Sequence, residues 1–180
     1  MDTPSATQPS EARASPSDAP QSQLQILRLS LGGEMHAVRI DAVREILEIS
    51  KITPVPLMPD FMRGVMNLRG SVIPVVDLAA RLGLPAATSS RRSCVVIVDV
   101  ALADQPGYQT VGALVDAVYE VADAGASDVE AVPRMGTRIA PQFIRSMVRV
   151  RGQATPELDL ANILDERTMC DLVRAHGELH

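Results

Sequence analysis

Aromatic residues are nearly missing. The 180 residues include two Phe, two Tyr and no Trp. An interior must therefore be built from Val, Leu, Ile, Met and Ala, and there is little from which to make stacking platforms for single-stranded nucleic acid or sugars. Lysine is scarcer still: Lys51 is the only one, so phosphate-loop or Schiff-base chemistry has a single candidate, and arginine carries the positive charge. Two cysteines, Cys94 and Cys170, make neither a disulfide framework nor a zinc site. No stretch nears the ~18 apolar residues of a membrane span, and the best run, Cys94 to Ala103, is broken by Asp99. Met1-Asp-Thr-Pro-Ser5 lacks the basic and apolar regions of a secretory signal, so a cytoplasmic location is expected. A net charge of −5 argues against a general polyanion binder. A hydrophobic content of 46% suffices for a packed core.

Residues 1 to 22 are Ser, Pro, Ala, Thr and Gln with a few charges and no apolar period, the composition of a disordered tail. Order is expected from Leu24. Leu27, Leu29 and Leu31 alternate with polar residues as in a half-buried strand, Gly32-Gly33 signals a two-residue hairpin, and Met35 to Ile40 returns with Val38 and Ile40 facing the core. Asp41 to Glu48 has helical spacing over about two turns. Pro54, Pro56 and Pro59 make a stiff connection. Val65 to Arg69 and Val72 to Val76 form a second hairpin around a Gly70-Ser71 turn, with Met66 and Leu68 on one face and Val65, Asn67 and Arg69 on the other. Asp77 caps a short helix, Leu78 to Leu82, closed by Gly83. Strands follow at Cys94–Val100, Thr110–Val115 and Met147–Val150. A loop is expected over 122–137 and one helix from Asp159 toward Ala175.

The chain repeats itself. Asp41-Ala-Val-Arg-Glu45 matches Asp116-Ala-Val-Tyr-Glu120. Residues 59–70 match residues 141–152, and Asp77-Leu-Ala matches Asp159-Leu-Ala, both at an offset of 82. Two pseudo-symmetric halves, about 24–84 and 94–168, each of about five short strands, suggest two small β-barrels that share an apolar interface. Leu68 and Val150 take equivalent inward positions. Strands can be exchanged between such halves, so the first strand is free to complete the second barrel.

Catalytic patterns are missing: there is no glycine-rich phosphate loop, HExxH, GxSxG or CxxC. His176 and His180 lie in the C-terminal tail (169–180 with the end of its helix), and His36 lacks an evident partner for general-base work. Cys94 reads as core and Cys170 as a small hydrophobe on the terminal helix. Asp77, Asp116 and Asp159 sit at strand ends; Asp77 and Asp159 are better read as helix caps than as a carboxylate cluster. Five arginines and no acid fall between Ala131 and Pro156, just after five acids and no base between Asp116 and Glu130. This arginine strip, 134–151, is a candidate nucleic-acid surface, but a solvated face balanced by its acidic neighbour fits the composition better.

Small barrels bearing polar side chains and no reactive centre have the profile of an interaction module. Gly64-Val-Met-Asn-Leu-Arg-Gly70, Val72-Ile-Pro-Val-Val-Asp-Leu78, Ile52-Thr-Pro-Val-Pro56 and Val111-Gly-Ala-Leu-Val-Asp116 together resemble the CheW-like coupling proteins of bacterial chemotaxis, in the family's order over residues 24 to about 168. The resemblance implies a mainly β fold of two SH3-like five-stranded barrels around a shared core, within a domain over 23–168. It implies a non-enzymatic scaffold, without cofactor or metal, that joins the cytoplasmic tip of a methyl-accepting chemoreceptor to the regulatory domain of a CheA-type histidine kinase. A coupling protein of a surface-motility or second-messenger pathway is the neighbouring alternative. Carried over residue by residue, the partner-contact positions are Val43, Glu45 and Ile46, then Gly64, Asn67, Arg69 and Gly70. Two departures stand out: Ser146 where the first half has Gly64, and a polar 152–159 segment containing Pro156, expected to be a short or edge strand.

Overall fold

Three hairpins turn on one device. Gly32-Gly33 (φ 58° and 81°), Arg69-Gly70 (51° and 85°) and Arg151-Gly152 (50° and 79°) each place two residues in the left-handed region, which makes type I′ turns whose twist matches the flanking strands. The second turn is therefore Arg69-Gly70, one residue earlier than the expected Gly70-Ser71, because Leu68 pairs with Ser71. Left-handed backbone is costly for an arginine. Asn67 helps to hold it there, its Oδ1 accepting the Gly70 N–H at 3.0 Å.

The computed structural model describes residues 23–87 and 89–179; the expected tail, 1–22, lies outside the described residues. The elements are β1 (Leu24–Leu31), β2 (Glu34–Arg39), β3 (Val43–Glu48), β4 (Met62–Leu68), β5 (Ser71–Asp77), α1 (Leu78–Arg81), β6 (Cys94–Ala101), β7 (Tyr108–Val115), β8 (Ala117–Ala124), β9 (Val129–Glu130), β10 (Ile144–Val150), β11 (Gln153–Leu158), α2 (Leu160–Ile163) and α3 (Glu166–Glu178). They form a sheet ordered β8-β1-β2-β11-β10-β9 and another ordered β3-β6-β7-β5-β4. These are the two SH3-like barrels expected, one with the two-residue β9 as an extra sixth strand.

The sheets trade hairpins. β1 and β2 lie among strands of the second half, while β6 and β7 lie among strands of the first. The exchange makes the core continuous: Leu27, Leu29, Leu31 and Val38 of one sheet share a cluster with Val76, Val96, Val98 and Val115 of the other. The repeat converges on the same region. The Arg81 guanidinium lies 5.7 Å from the ring of Phe61 and 4.9 Å from that of Phe143, its repeat partner. Arg81 Nε also donates to the carbonyl of Ile163, the residue 82 positions on, at 3.1 Å.

Further expectations are corrected. Residues 43–48 are strand, not helix; only Ile40–Ala42 make a helical turn, of 3₁₀ type. Pairing of Val43–Glu48 with β6 outweighs a helical pattern too short to sustain itself. The loop over 122–137 starts late, since β8 runs to Ala124 and β9 follows. The terminal helix is two helices, because Asp165 caps a new one by accepting from the Thr168 N–H at 2.9 Å. β11 is an interior strand between β2 and β10. Its Pro156 is accommodated because the parallel contact with β2 falls at the next residue, Glu157; Pro74 likewise precedes the parallel pairing that starts at Val75. Of the equivalent pair, Val150 is buried while Leu68 is half-buried.

Candidate partner-binding site

β3 and β4 are the two edges of the five-stranded sheet, and all seven carried-over positions lie on them or on the turn after β4. A register shift between Val43 and Glu45 leaves Arg44 as the bulged residue. Val43, Glu45 and Leu47 then face partly inward, and Arg44, Ile46 and Glu48 face solvent. Val43 packs against the main core. Ile46 is 40% exposed. Glu45 reaches the hairpin tip, where Arg69 Nη2 donates to its Oε2 at 2.6 Å. The Arg69 side chain is 73% exposed on a turn held by Asn67.

Gly64 serves the site from beneath. Its φ is 138°, and an added Cβ would lie 2.1 Å from the Thr53 carbonyl oxygen, which accepts the Val65 N–H at 2.9 Å. Glycine is thus required for the 49–56 segment to lie against β4. The structure brings Glu45, Asn67, Arg69 and Gly70 together at one tip. Ile46 projects from the other face of β3, and Val43 and Gly64 support the strands.

The second barrel carries the same clip, which the choice of site residues overlooked although the repeat alignment contains it. Arg151 Nη2 donates to Glu120 Oε2 at 2.6 Å. A further arginine, Arg28, donates to Glu120 Oε1 at 2.6 Å and is only 12% exposed. Arg28 is invisible to the repeat because its counterpart, opposite Glu45, is Ile97.

The other candidates resolve into structural roles. His36 is buried with Nδ1 3.0 Å from the Glu34 carbonyl; burial lowers its pKa below 6.5 against smaller upward pulls from that carbonyl and the Glu34 charge. Asp77 and Asp159 cap α1 and α2, accepting from Ala80 and Asn162 N–H at 3.1 and 3.2 Å. They also face Arg63 and Arg145, a repeat pair, at 3.3 and 3.6 Å. Cys94 is half-buried and packs against the main core, its thiol pKa raised mainly by burial, and Cys170 is exposed. Within the arginine strip, Arg138, Arg145, Arg149 and Arg151 pair with Glu34, Asp159, Glu130 and Glu120, so most of its charge is neutralised locally. Among the described residues there is no metal-holding group of three or more His, Cys, Asp or Glu side chains, and no helix is long and apolar enough to cross a membrane.

The CheW-like domain model matches residues 25–168. The chain is 31% identical over 139 residues to the chemotaxis protein CheW of Rhizobium meliloti, covering 77% of this chain and 86% of that one. It is 30% identical over 152 residues to CheW of Thermotoga maritima, covering 82% and 91%. The crystal structure of the scaffolding protein TtCheW from Thermoanaerobacter tengcongensis superposes with a TM-score of 0.70 at 30% identity, over 78% of this chain and 92% of that one. Matched by the family model over residues 25–168 and by relatives at 30–31% identity, the chain belongs to the CheW-like family.

Proposed function

We propose that this chemotaxis coupling scaffold joins the cytoplasmic tip of a chemoreceptor to the regulatory domain of a CheA-type histidine kinase, with no catalysis of its own, and resides where receptors are arrayed. The observation that carries the receptor half of this reading is the tip of the five-stranded barrel. There a planar guanidinium is held outward on a rigid turn, clamped at one end by Glu45 and available to carboxylates or carbonyls of a docked helix. Exposed apolar side chains lie on the neighbouring strands, Val72 beside the turn and Ile46 on the outer face of β3. The kinase contact is assigned to apolar positions at a barrel end, where two similar barrels pair.

The test is Arg69→Glu. The side chain is mostly solvent-exposed, so removing its ion pair costs about 1 kcal/mol or less, and thermal unfolding stays close to wild type. Binding to a receptor cytoplasmic fragment weakens, because the reversed charge sits beside Glu45 and faces the partner. Binding to the kinase regulatory domain, measured separately, changes less. A folded variant that binds receptor as wild type does would remove Arg69 from the contact; an unfolded one would make it a structural residue.

A further inference from the structure

Glu45 has two carboxylate oxygens and one partner. Oε2 takes the Arg69 hydrogen bond, while Oε1 is buried and has no hydrogen-bond partner among the described residues. A buried acceptor left unmade is unfavourable, and more so for an ionised group. Neighbouring Arg44 does not supply the missing donor, because its Nη1 is directed to Asp99 Oδ1 and Thr110 Oγ1, each at 3.3 Å.

The second barrel displays what such an oxygen takes. Glu120 occupies the equivalent place, after the equivalent bulge in its strand, and both its oxygens are filled by guanidinium groups, Oε2 by Arg151 and Oε1 by Arg28. Arg28 rises from β1 directly opposite Glu120; directly opposite Glu45, on β6, stands Ile97. The first barrel therefore has the anion and one arginine of a two-arginine clip. In place of the second guanidinium there is an aliphatic side chain and a groove of about 190 Å³ lined by Arg44, Glu45, Leu68, Arg69 and Thr110.

We infer that the second arginine of this clip is supplied in trans: an arginine side chain of the docked receptor helix enters the groove and donates to Glu45 Oε1, as Arg28 donates to Glu120. The inference rests on the reading of this tip as the receptor face. Arg69 stays on Oε2 as the first arginine of the clip; its exposed side chain can adjust around that bond as the second guanidinium enters, while the strands stay in register. A guanidinium is the fitting head group because its planar fork lets it bond one carboxylate oxygen and still reach a neighbouring acceptor. The second barrel's tip is closed to the same partner, since Arg28 already fills the place.

A double-mutant cycle tests this with the full chain and a receptor cytoplasmic fragment in which each arginine is changed to glutamine in turn. Glu45→Gln is expected to weaken receptor binding about tenfold or more while leaving the melting temperature near wild type, since it removes charge at constant shape. One receptor arginine should lose its own effect on affinity in the Glu45→Gln background. Glu120→Gln should do the reverse, lowering the melting temperature and leaving receptor affinity unchanged. Receptor binding by Glu45→Gln equal to wild type, or additivity with every receptor arginine, overturns the inference. In that case a binding defect in Arg69→Glu still supports the receptor-face reading. If the wild-type chain fails to bind the fragment, both fall. Should Glu45→Gln fail to fold, Glu45→Asp, which keeps the charge but withdraws it by one methylene, carries the same cycle and the same outcomes.

Discussion

In the second barrel His36 faces Leu29 across β1 and β2; at the same register of the first barrel Val111 faces Val98. The substitution is systematic. Arg39 corresponds to Leu114, each opposite its strand partner Ile26 or Val95. Glu157 corresponds to Val75, the residues that contact Ala37 and Gly112 in the parallel pairings. Ser146 corresponds to Gly64 at the offset of 82. One barrel thus places Leu114, Val75 and Gly64 where the other places a hydrogen-bonded triad: Arg39 Nε donates to Glu157 Oε1, and Ser146 Oγ donates to Glu157 Oε2 at 2.6 Å. The same backbone plan accepts either filling. A fully buried carboxylate is tolerated only because both its oxygens are used.

The triad is where this comparison breaks most easily. Arg39→Leu installs the first barrel's residue but leaves Glu157 buried without its cation, which should cost about 3–5 kcal/mol in urea unfolding. The combined Arg39→Leu, Ser146→Gly, Glu157→Val variant transplants the whole apolar set and should recover most of that loss, because replacing a buried ionic group with packed hydrophobic residues is often neutral or stabilising. If the single and combined variants are equally destabilised, the two barrels do not share interchangeable cores.

Exchange at one position should be unequal in its two directions. Gly64→Ser forces a Cβ toward the Thr53 carbonyl at a φ of 138°, and should cost about 3 kcal/mol by strain and displacement. Ser146→Gly meets no such obstacle and loses one hydrogen bond to a charged group, about 2 kcal/mol. Equal costs in denaturant melts would mean that the 49–56 segment yields readily at Gly64.

The smallest effect is a pH dependence confined to the second barrel. The folded-state pKa of His36 lies below the unfolded value of 6.5. Between the two, the unfolded chain holds a proton that the folded one refuses. Stability therefore rises with pH through that window, and this contribution is lost as pH falls below about 6.5. His36→Val, which copies Val111, should flatten the difference in melting temperature between pH 7.5 and 5.5 relative to wild type. An unchanged slope would show that other groups set it.

Most of the local architecture was legible. Gly32-Gly33 announced its hairpin, Asp77 and Asp159 their helices, and the matched blocks two barrels, because turns, caps and alternation depend on residues a few positions apart. The 68–71 turn lies one residue earlier than its Gly-Ser signal indicates, and β3 carries a helical spacing that the fold overrides. A six-residue strand has little signal of its own, and its state is decided by pairing with β6. At the candidate site, Glu45 and Arg69 were legible as positions but not as a bonded pair.

The sequence by itself determined the family, the repeat and the places where strands end, since these are written in short-range patterns and in motifs read in order. Tertiary structure alone decided which sheet each hairpin joins and which glutamate is fully partnered. Glu120 is closed by Arg28 from 92 residues away, whereas among the described residues Glu45 is held by Arg69 alone, 24 residues on. The reason is physical: cross-strand register between distant segments is set by burial of the shared core, and it is this register that sets an arginine opposite one glutamate and an isoleucine opposite the other.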